Sequence, residues 1–152
     1  MIRHTFSLLS AVLIVATTAS TINAAGSDAD SEALAAVDRF MKEFNTADIN
    51  AWAATLSYPH VRIASGAVKI WKTPAEYATS FDFDDFKRAI GWHHSALDYK
   101  KVVQSSENKV HVALGFTRYR ADGSKIASYE SIYVVTRVAG RWGIQARSSF
   151  AP

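Results

Sequence analysis

Residues 109–149 read KVHVALGFTRYRADGSKIASYESIYVVTRVAGRWGIQARSS, and they decide the fold. Three runs rich in β-branched and aromatic residues stand out: Lys109 to Tyr119, Ile126 to Val138 and Trp142 to Ser149. Such residues suit a pleated surface. The breaks between them are Ala121-Asp122-Gly123-Ser124 and Ala139-Gly140-Arg141, and Asp-Gly is a hairpin turn pair. A fourth run, His94 to Gln104, precedes them across Ser105-Ser106-Glu107-Asn108. Connections this short join antiparallel neighbours, so the four runs predict a meander.

Upstream of Gly91 the periodicity is helical. Leu34, Val37, Phe40, Met41 and Phe44 recur at three- and four-residue spacings on one face, and Asp30 or Ser31 is placed to cap that helix. Asp48 caps a second, short helix that buries Ile49, Trp52, Ala53 and Leu56. Pro59 closes that segment, and His60 to Ala64 alternates as a strand up to Gly66. Thr73-Pro74-Ala75-Glu76 combines a Thr cap, Pro at the first helical position and Glu three residues on. The helix it starts carries Tyr77 and Phe81, and continues bent or broken through Phe83, Phe86 and Ile90. Helices followed by a long antiparallel sheet make an α+β domain.

The chain has 152 residues, 49% of them hydrophobic, which is enough for one domain with a real core. Its start reads as a signal peptide: Arg3 and His4, then an apolar run from Phe6 to Ala16, then small polar residues and Ile22-Asn23-Ala24. The run is 11 residues long, too short for a bilayer of about 30 Å, so no stable membrane span is expected after processing. The expected organisation is a signal peptide over 1–25, a flexible leader over 26–31 and a domain over 32–152, exported to the periplasm or secreted. There is no cysteine, so neither disulfides nor cysteine-linked lipid can hold the domain. The net charge of +3 falls to +2 when Arg3 leaves with the signal. The late basic residues Arg118, Arg120, Lys125, Arg137, Arg141 and Arg147 read as the solvated face of a sheet rather than a nucleic-acid stripe.

Several of these segments carry a resemblance. Asp48-Ile49-Asn50-Ala51-Trp52, Tyr58-Pro59-His60-Val61-Arg62-Ile63, Gly91-Trp92-His93-His94-Ser95 and Gly140 to Ser149 look like the nuclear transport factor 2-like superfamily, and more narrowly its SnoaL-like branch. The resemblance implies N-terminal helices packed on a curved, mainly antiparallel sheet that forms a cone-shaped pocket, a cystatin-like roll. It also implies a choice of functions, because this scaffold hosts isomerases, cyclases and dehydratases as well as proteins that only bind or assemble. Dimers through the outer face of the sheet are common in proteins that resemble this one. Tyr129, Tyr133 and Arg137 are the contacts such a homodimer would use here.

The strands supply few carboxylates, Asp98 and Glu130 only, so acid–base chemistry through paired acids has little support. Asp82, Asp84 and Asp85 read as a solvated helix end. Histidine is the other base that works near neutrality. His60 and His94 are the candidates, with Arg62, on the same strand face as His60, or Arg147 to hold an anionic oxygen and Tyr129 to donate a hydrogen bond. His93 and His94 point to opposite faces and make a poor chelate, and no metal spacing motif occurs. On the third of the meander's four runs, the more apolar set Glu130, Ile132, Val134, Thr136 and Val138 is the expected core side. On the last run Trp142, Ile144, Ala146, Ser148 and Phe150 share a face, and the small Ala146 and Ser148 leave space there. Candidate ligand contacts are Trp52, Trp71, Tyr77, Trp92, Tyr129, Glu130, Arg147 and Ser148. No cofactor motif is present. Two readings stay open: a binding protein for a small, partly apolar molecule, and a cofactor-free isomerase, dehydratase or cyclase with a histidine base.

Overall fold

The computed structural model describes residues 23–64 and 66–152. The first 22 residues of the expected signal peptide lie outside the described residues. The elements in chain order are α1 (Asn23–Asn45), α2 (Ile49–Ala53), β1 (Leu56–Ala64), β2 (Ala67–Trp71), α3 (Pro74–Ala78), α4 (Phe83–Ile90), β3 (His94–Ser106), β4 (Lys109–Tyr119), β5 (Lys125–Val138) and β6 (Arg141–Ser149). The six strands form one sheet in the order β2-β1-β6-β5-β4-β3. Strand β1 runs parallel to β6, and every other pair is antiparallel. The helices pack against this curved, unclosed mixed sheet, as the α+β reading expects.

Helix α1 lies across the sheet. Its inner stripe is Ala29, Ala33, Ala36, Val37, Phe40, Met41 and Phe44, all buried. Each large apolar side chain in such a stripe contributes roughly 1.5–3 kcal/mol by leaving water. The helix is already formed at Asn23, the first described residue, ahead of the cap predicted at Asp30 or Ser31, and residues 26–31 lie within it. The reason is visible in the stripe: Ala29 continues the buried line back from Ala33, and Ala24 and Ala25 favour helix in any case. At the other end Asn45 clamps the sheet, its side-chain amide donating to Ser95 O at 2.8 Å and its oxygen accepting from Ser95 N at 2.9 Å.

The predicted caps form. Asp48 accepts from Asn50 N and Ala51 N, and Thr73 accepts from Glu76 N with Pro74 at the first helical position. Asp82 caps α4, whose exposed first turn carries Asp84 and Asp85. Gly91 ends α4 at φ 71°, the left-handed conformation that closes helices. Strand β1 begins at Leu56, before Pro59, instead of at His60. The pairing of β1 with β6 is irregular between Leu56 and Val61, so the ladder tolerates the missing proline N–H. Strand β2, absent from the sequence reading, pairs with β1 across Gly66.

Two strand faces differ from expectation. On β5 the buried residues are Ser131, Tyr133 and Val135, while Ile132 is 49% exposed. The more apolar face is therefore the outer one, and Tyr133 points inward instead of offering a dimer contact. On β6 the alternation breaks. Val135 pairs with Ile144 and Val134 with Ala146, so Gln145 is an extra residue, a β-bulge. Trp142 and Ile144 face the core before it. Arg147 faces inward after it, while Ser148 is exposed.

Candidate functional site

The bulge on β6 and the register of the sheet place three side chains in one row. Arg62 on β1 pairs with Arg147 on β6, and Arg147 pairs with Tyr133 on β5. Side chains in such a row share a face. Above this row lies a cavity of about 160 Å³ between sheet and helices. Its apolar walls come from Phe40, Met41 and Phe44 of α1, Trp52 of α2, Trp71 of β2 and Tyr77 of α3, closed by Phe81, Phe86 and Phe116. Its charged lining is Arg62, Lys69, Arg118 and Arg147, with no Asp or Glu among the lining residues.

The buried polar chemistry centres on Arg147, which is 8% exposed. Its Nε donates to His60 Nε2 at 3.2 Å, and its Nη2 donates to Tyr77 Oη at 3.0 Å. The guanidinium carbon sits 5.0 Å from the Phe40 ring centre and 5.4 Å from that of Trp52. A guanidinium can only donate, so His60 Nε2 is the acceptor. The proton of neutral His60 therefore sits on Nδ1, which donates to Ile144 O at 2.9 Å. His60 is wholly buried, between Trp71 and Tyr77. Burial first, and the Arg147 charge second, push its pKa down to about 3. Both ring nitrogens are engaged and the ring is neutral at ordinary pH. Burial also holds the phenols of Tyr77 and Tyr133 above their usual range.

Arg118 forms the second charged wall. It is 7% exposed and lies over three rings, 4.9 Å from Phe86, 5.8 Å from Phe116 and 4.9 Å from Tyr129. Its Nε is buried without a hydrogen-bond partner. Arg62, near the rim, donates to Ala151 O at 3.1 Å and Pro152 O at 2.8 Å.

Of the residues singled out from sequence, Trp52, Trp71, Tyr77, Arg62 and Arg147 line the cavity, and His60 stands behind Arg147. Tyr129 is one layer back, against Arg118 and Phe116. Trp92 is core, its Nε1 donating to Ser95 Oγ at 3.0 Å. His94 is outside the lining and stacks on Tyr119 at 5.1 Å. Glu130 and Ser148 lie on the outer face, where Glu130 accepts from Tyr99 Oη. The β5 and β6 phase errors account for both. Arg118 and Tyr133 were not picked out as pocket residues. An arginine reads as surface unless its strand phase is known, although Leu114, Phe116 and Arg118 do recur at two-residue spacing. The late arginines are thus not one solvated face, since two of them are buried. Among the described residues no three His, Asp or Glu side chains converge as a metal-binding group. Nor is any helix there long and apolar enough to cross a membrane.

Solved structures with this architecture are numerous. An NTF2-like protein with a cystatin-like fold from Novosphingobium aromaticivorans superposes with a TM-score of 0.66 at 13% identity, covering 81% of each chain. A ketosteroid isomerase-like protein from Erwinia carotovora gives 0.56 at 23% identity, covering 80% of this chain and 96% of that one. A protein from Catenulispora acidiphila, solved in complex with S-DNPA, gives 0.64 at 15% identity, covering 82% and 93%. At these identities the likeness establishes the fold alone. No curated protein matches the chain. These matches do not single out the SnoaL-like branch within the wider superfamily. The model of the NTF2-like protein family DUF6841 matches residues 30–149, and the chain belongs to that family.

Proposed function

We propose that this chain is an exported binding protein whose cone holds a small, partly apolar molecule. The observation that carries the reading is the cavity of about 160 Å³, walled by aromatic rings and backed by a histidine already engaged on both nitrogens. A cavity of about 150 Å³ takes up a benzene-sized guest, so the fitting occupant has one ring or a short chain. A structural neighbour solved with a small molecule is in keeping with this. The enzymatic alternative has weaker support. No Asp or Glu lines the cavity, His94 stands outside it, and His60 at a pKa of about 3 is too weak a base near neutrality.

The test is a crystal structure of the purified protein, paired with native mass spectrometry and a screen of single-ring compounds. An ordered molecule among Phe44, Trp52 and Trp71 is the expected result. An empty cone together with no binder in the screen overturns the reading. Export is tested at the N-terminus of protein recovered outside the cytoplasm, where an intact Met1 refutes cleavage. The outer sheet face carries Ile63 and Ile132, 46% and 49% exposed, in one row with Ser148. This apolar row is the face we propose for a homodimer. Light scattering that gives a monomer at micromolar concentration refutes it.

A further inference from the structure

We infer that the occupant of the cone is an organic anion, a carboxylate on a single ring or a short apolar body, whose charge is matched by the arginines of the lining. This rests on the cone being a binding site, and it adds the chemical class of what binds.

Arg39, Arg120 and Arg141 bond only to uncharged oxygens, while several surface cations pair with acids: Lys100 with Asp38, Arg137 with Glu107, Arg88 with Asp85 and Lys87 with Asp84. Inside the cone the cations do not. Neither Arg118 nor Arg147 forms an ion pair among the described residues, and no Asp or Glu lines the cavity they share, while Arg62 is taken up by Ala151 O and Pro152 O. Arg62 and Arg147 are also direct register partners on adjacent strands, an arrangement that places like charges side by side. Burial lowers the pKa of Arg62 and of Arg118, and the charge of Arg147 lowers both further. A guanidinium nonetheless stays charged.

Burying unmatched charge is expensive. The protein offsets part of the cost with neutral partners. Arg147 has His60, Tyr77 and the faces of Phe40 and Trp52. Arg118 has ring faces and the Tyr129 hydroxyl, and its Nε is left without an acceptor although the residue is more than nine-tenths buried. A buried donor on a charged group with no acceptor is incomplete chemistry. An anion entering the cavity completes it. The planar fork of arginine matches a carboxylate. The aromatic walls then require an apolar remainder, and the volume limits that remainder to about one ring.

The experiment compares acids with their own amides. Binding of benzoate and 3-phenylpropanoate, and of benzamide and 3-phenylpropanamide, is measured by calorimetry and by tryptophan fluorescence, since Trp52 and Trp71 line the cavity. The acids are expected to bind tighter than the amides by on the order of tenfold or more. In Arg118→Met, which removes an unpaired buried charge and retains bulk, the gap between acid and amide is expected to shrink. Should amides bind as tightly as acids, the anion assignment is overturned and the cone remains a site for neutral molecules. Should neither bind, the reading of the cone as a site fails with it. An undiminished gap in both Arg118→Met and Arg147→Met overturns the role given to the arginines. Wild-type protein alone decides the acid–amide comparison, so the class of ligand stays testable even if a variant misfolds.

Discussion

Replacing His60 should remove a pH dependence that the wild-type protein carries in its core. In the folded state the ring is sealed, with Nδ1 donating to Ile144 O and Nε2 accepting from Arg147. Burial and the Arg147 charge hold its pKa near 3. In the unfolded chain the same ring titrates near 6.5. Between those values the unfolded chain takes up a proton that the folded protein refuses, so stability falls as pH falls below about 6.5. At pH 5 the gap from 6.5 is about 1.5 pH units, which at 1.36 kcal/mol per unit gives about 2 kcal/mol lost relative to pH 7. The assay is urea unfolding at pH 7 and pH 5 for wild type and His60→Asn. Asparagine can keep the donor to Ile144 O but gives up the acceptor for Arg147 Nε, so the variant should be less stable at pH 7, by about 1–3 kcal/mol. The decisive quantity is the slope. Wild type should lose about 2 kcal/mol more than the variant on going to pH 5. Equal losses in both proteins would mean that folded His60 accepts a proton freely, and the argument that it is no base would go with them.

Three further perturbations probe the packing around the cone. Tyr77→Phe removes the acceptor of Arg147 Nη2 at 3.0 Å and should cost about 1.5–3 kcal/mol, read as a shift in urea midpoint with unchanged slope. Gly143→Ala puts a methyl 2.6 Å from Ser57 Oγ and 3.0 Å from the Leu56 backbone carbon, so β6 must move off β1 at a cost of about 1–3 kcal/mol, measurable by calorimetric melting. Phe44→Ala empties the centre of a cluster formed with Trp52, Phe81, Phe83, Phe86 and Trp92, and about 3–5 kcal/mol should be lost in chemical denaturation.

Much of the scaffold was legible because its signals are local. The meander's ends fall within two residues of the runs read from composition, since turn chemistry marks them. The caps at Asp48 and Thr73 form because side-chain acceptors sit beside the N–H groups that need them. Strand β2 was missed for want of such a signal. Residues 67–70 are exposed on both faces, so no apolar–polar alternation distinguishes them from loop, although Val68 and Ile70 after Gly66 are a hairpin's residues. The site was half legible. Of the candidate residues, Trp52, Trp71, Tyr77, Arg62 and Arg147 line the cavity, whereas Glu130 and Ser148, expected inside, lie on the outer face and Arg118, expected in solvent, lies inside. Glu130 is misplaced by the assumption that the more apolar face of a strand is the inner face, Ser148 by the bulge at Gln145, and Arg118 by reading an arginine as solvated. A wall that lines a cavity with charge and hydroxyls violates the first assumption. On β5 the inner face carries Ser131 and Tyr133, and the outer face carries Ile132 and Val134.

The bulge at Gln145 is where this matters most for function. With unbroken alternation from Trp142 and Ile144, the next inward residues are Ala146 and Ser148, and the floor of the cone is small and neutral. One inserted residue reverses the phase, and the floor becomes Arg147 and Ser149. His60 and Tyr77 then acquire their role, because each presents a neutral acceptor to a guanidinium that a regular strand would have left in water. A carboxylate at either position would neutralise Arg147 within the protein and leave it nothing to offer a ligand. Neutral acceptors orient the guanidinium without cancelling its charge. A local irregularity of one strand, invisible to periodicity, thus adds Arg147 to the Arg62, Lys69 and Arg118 that already line the cavity.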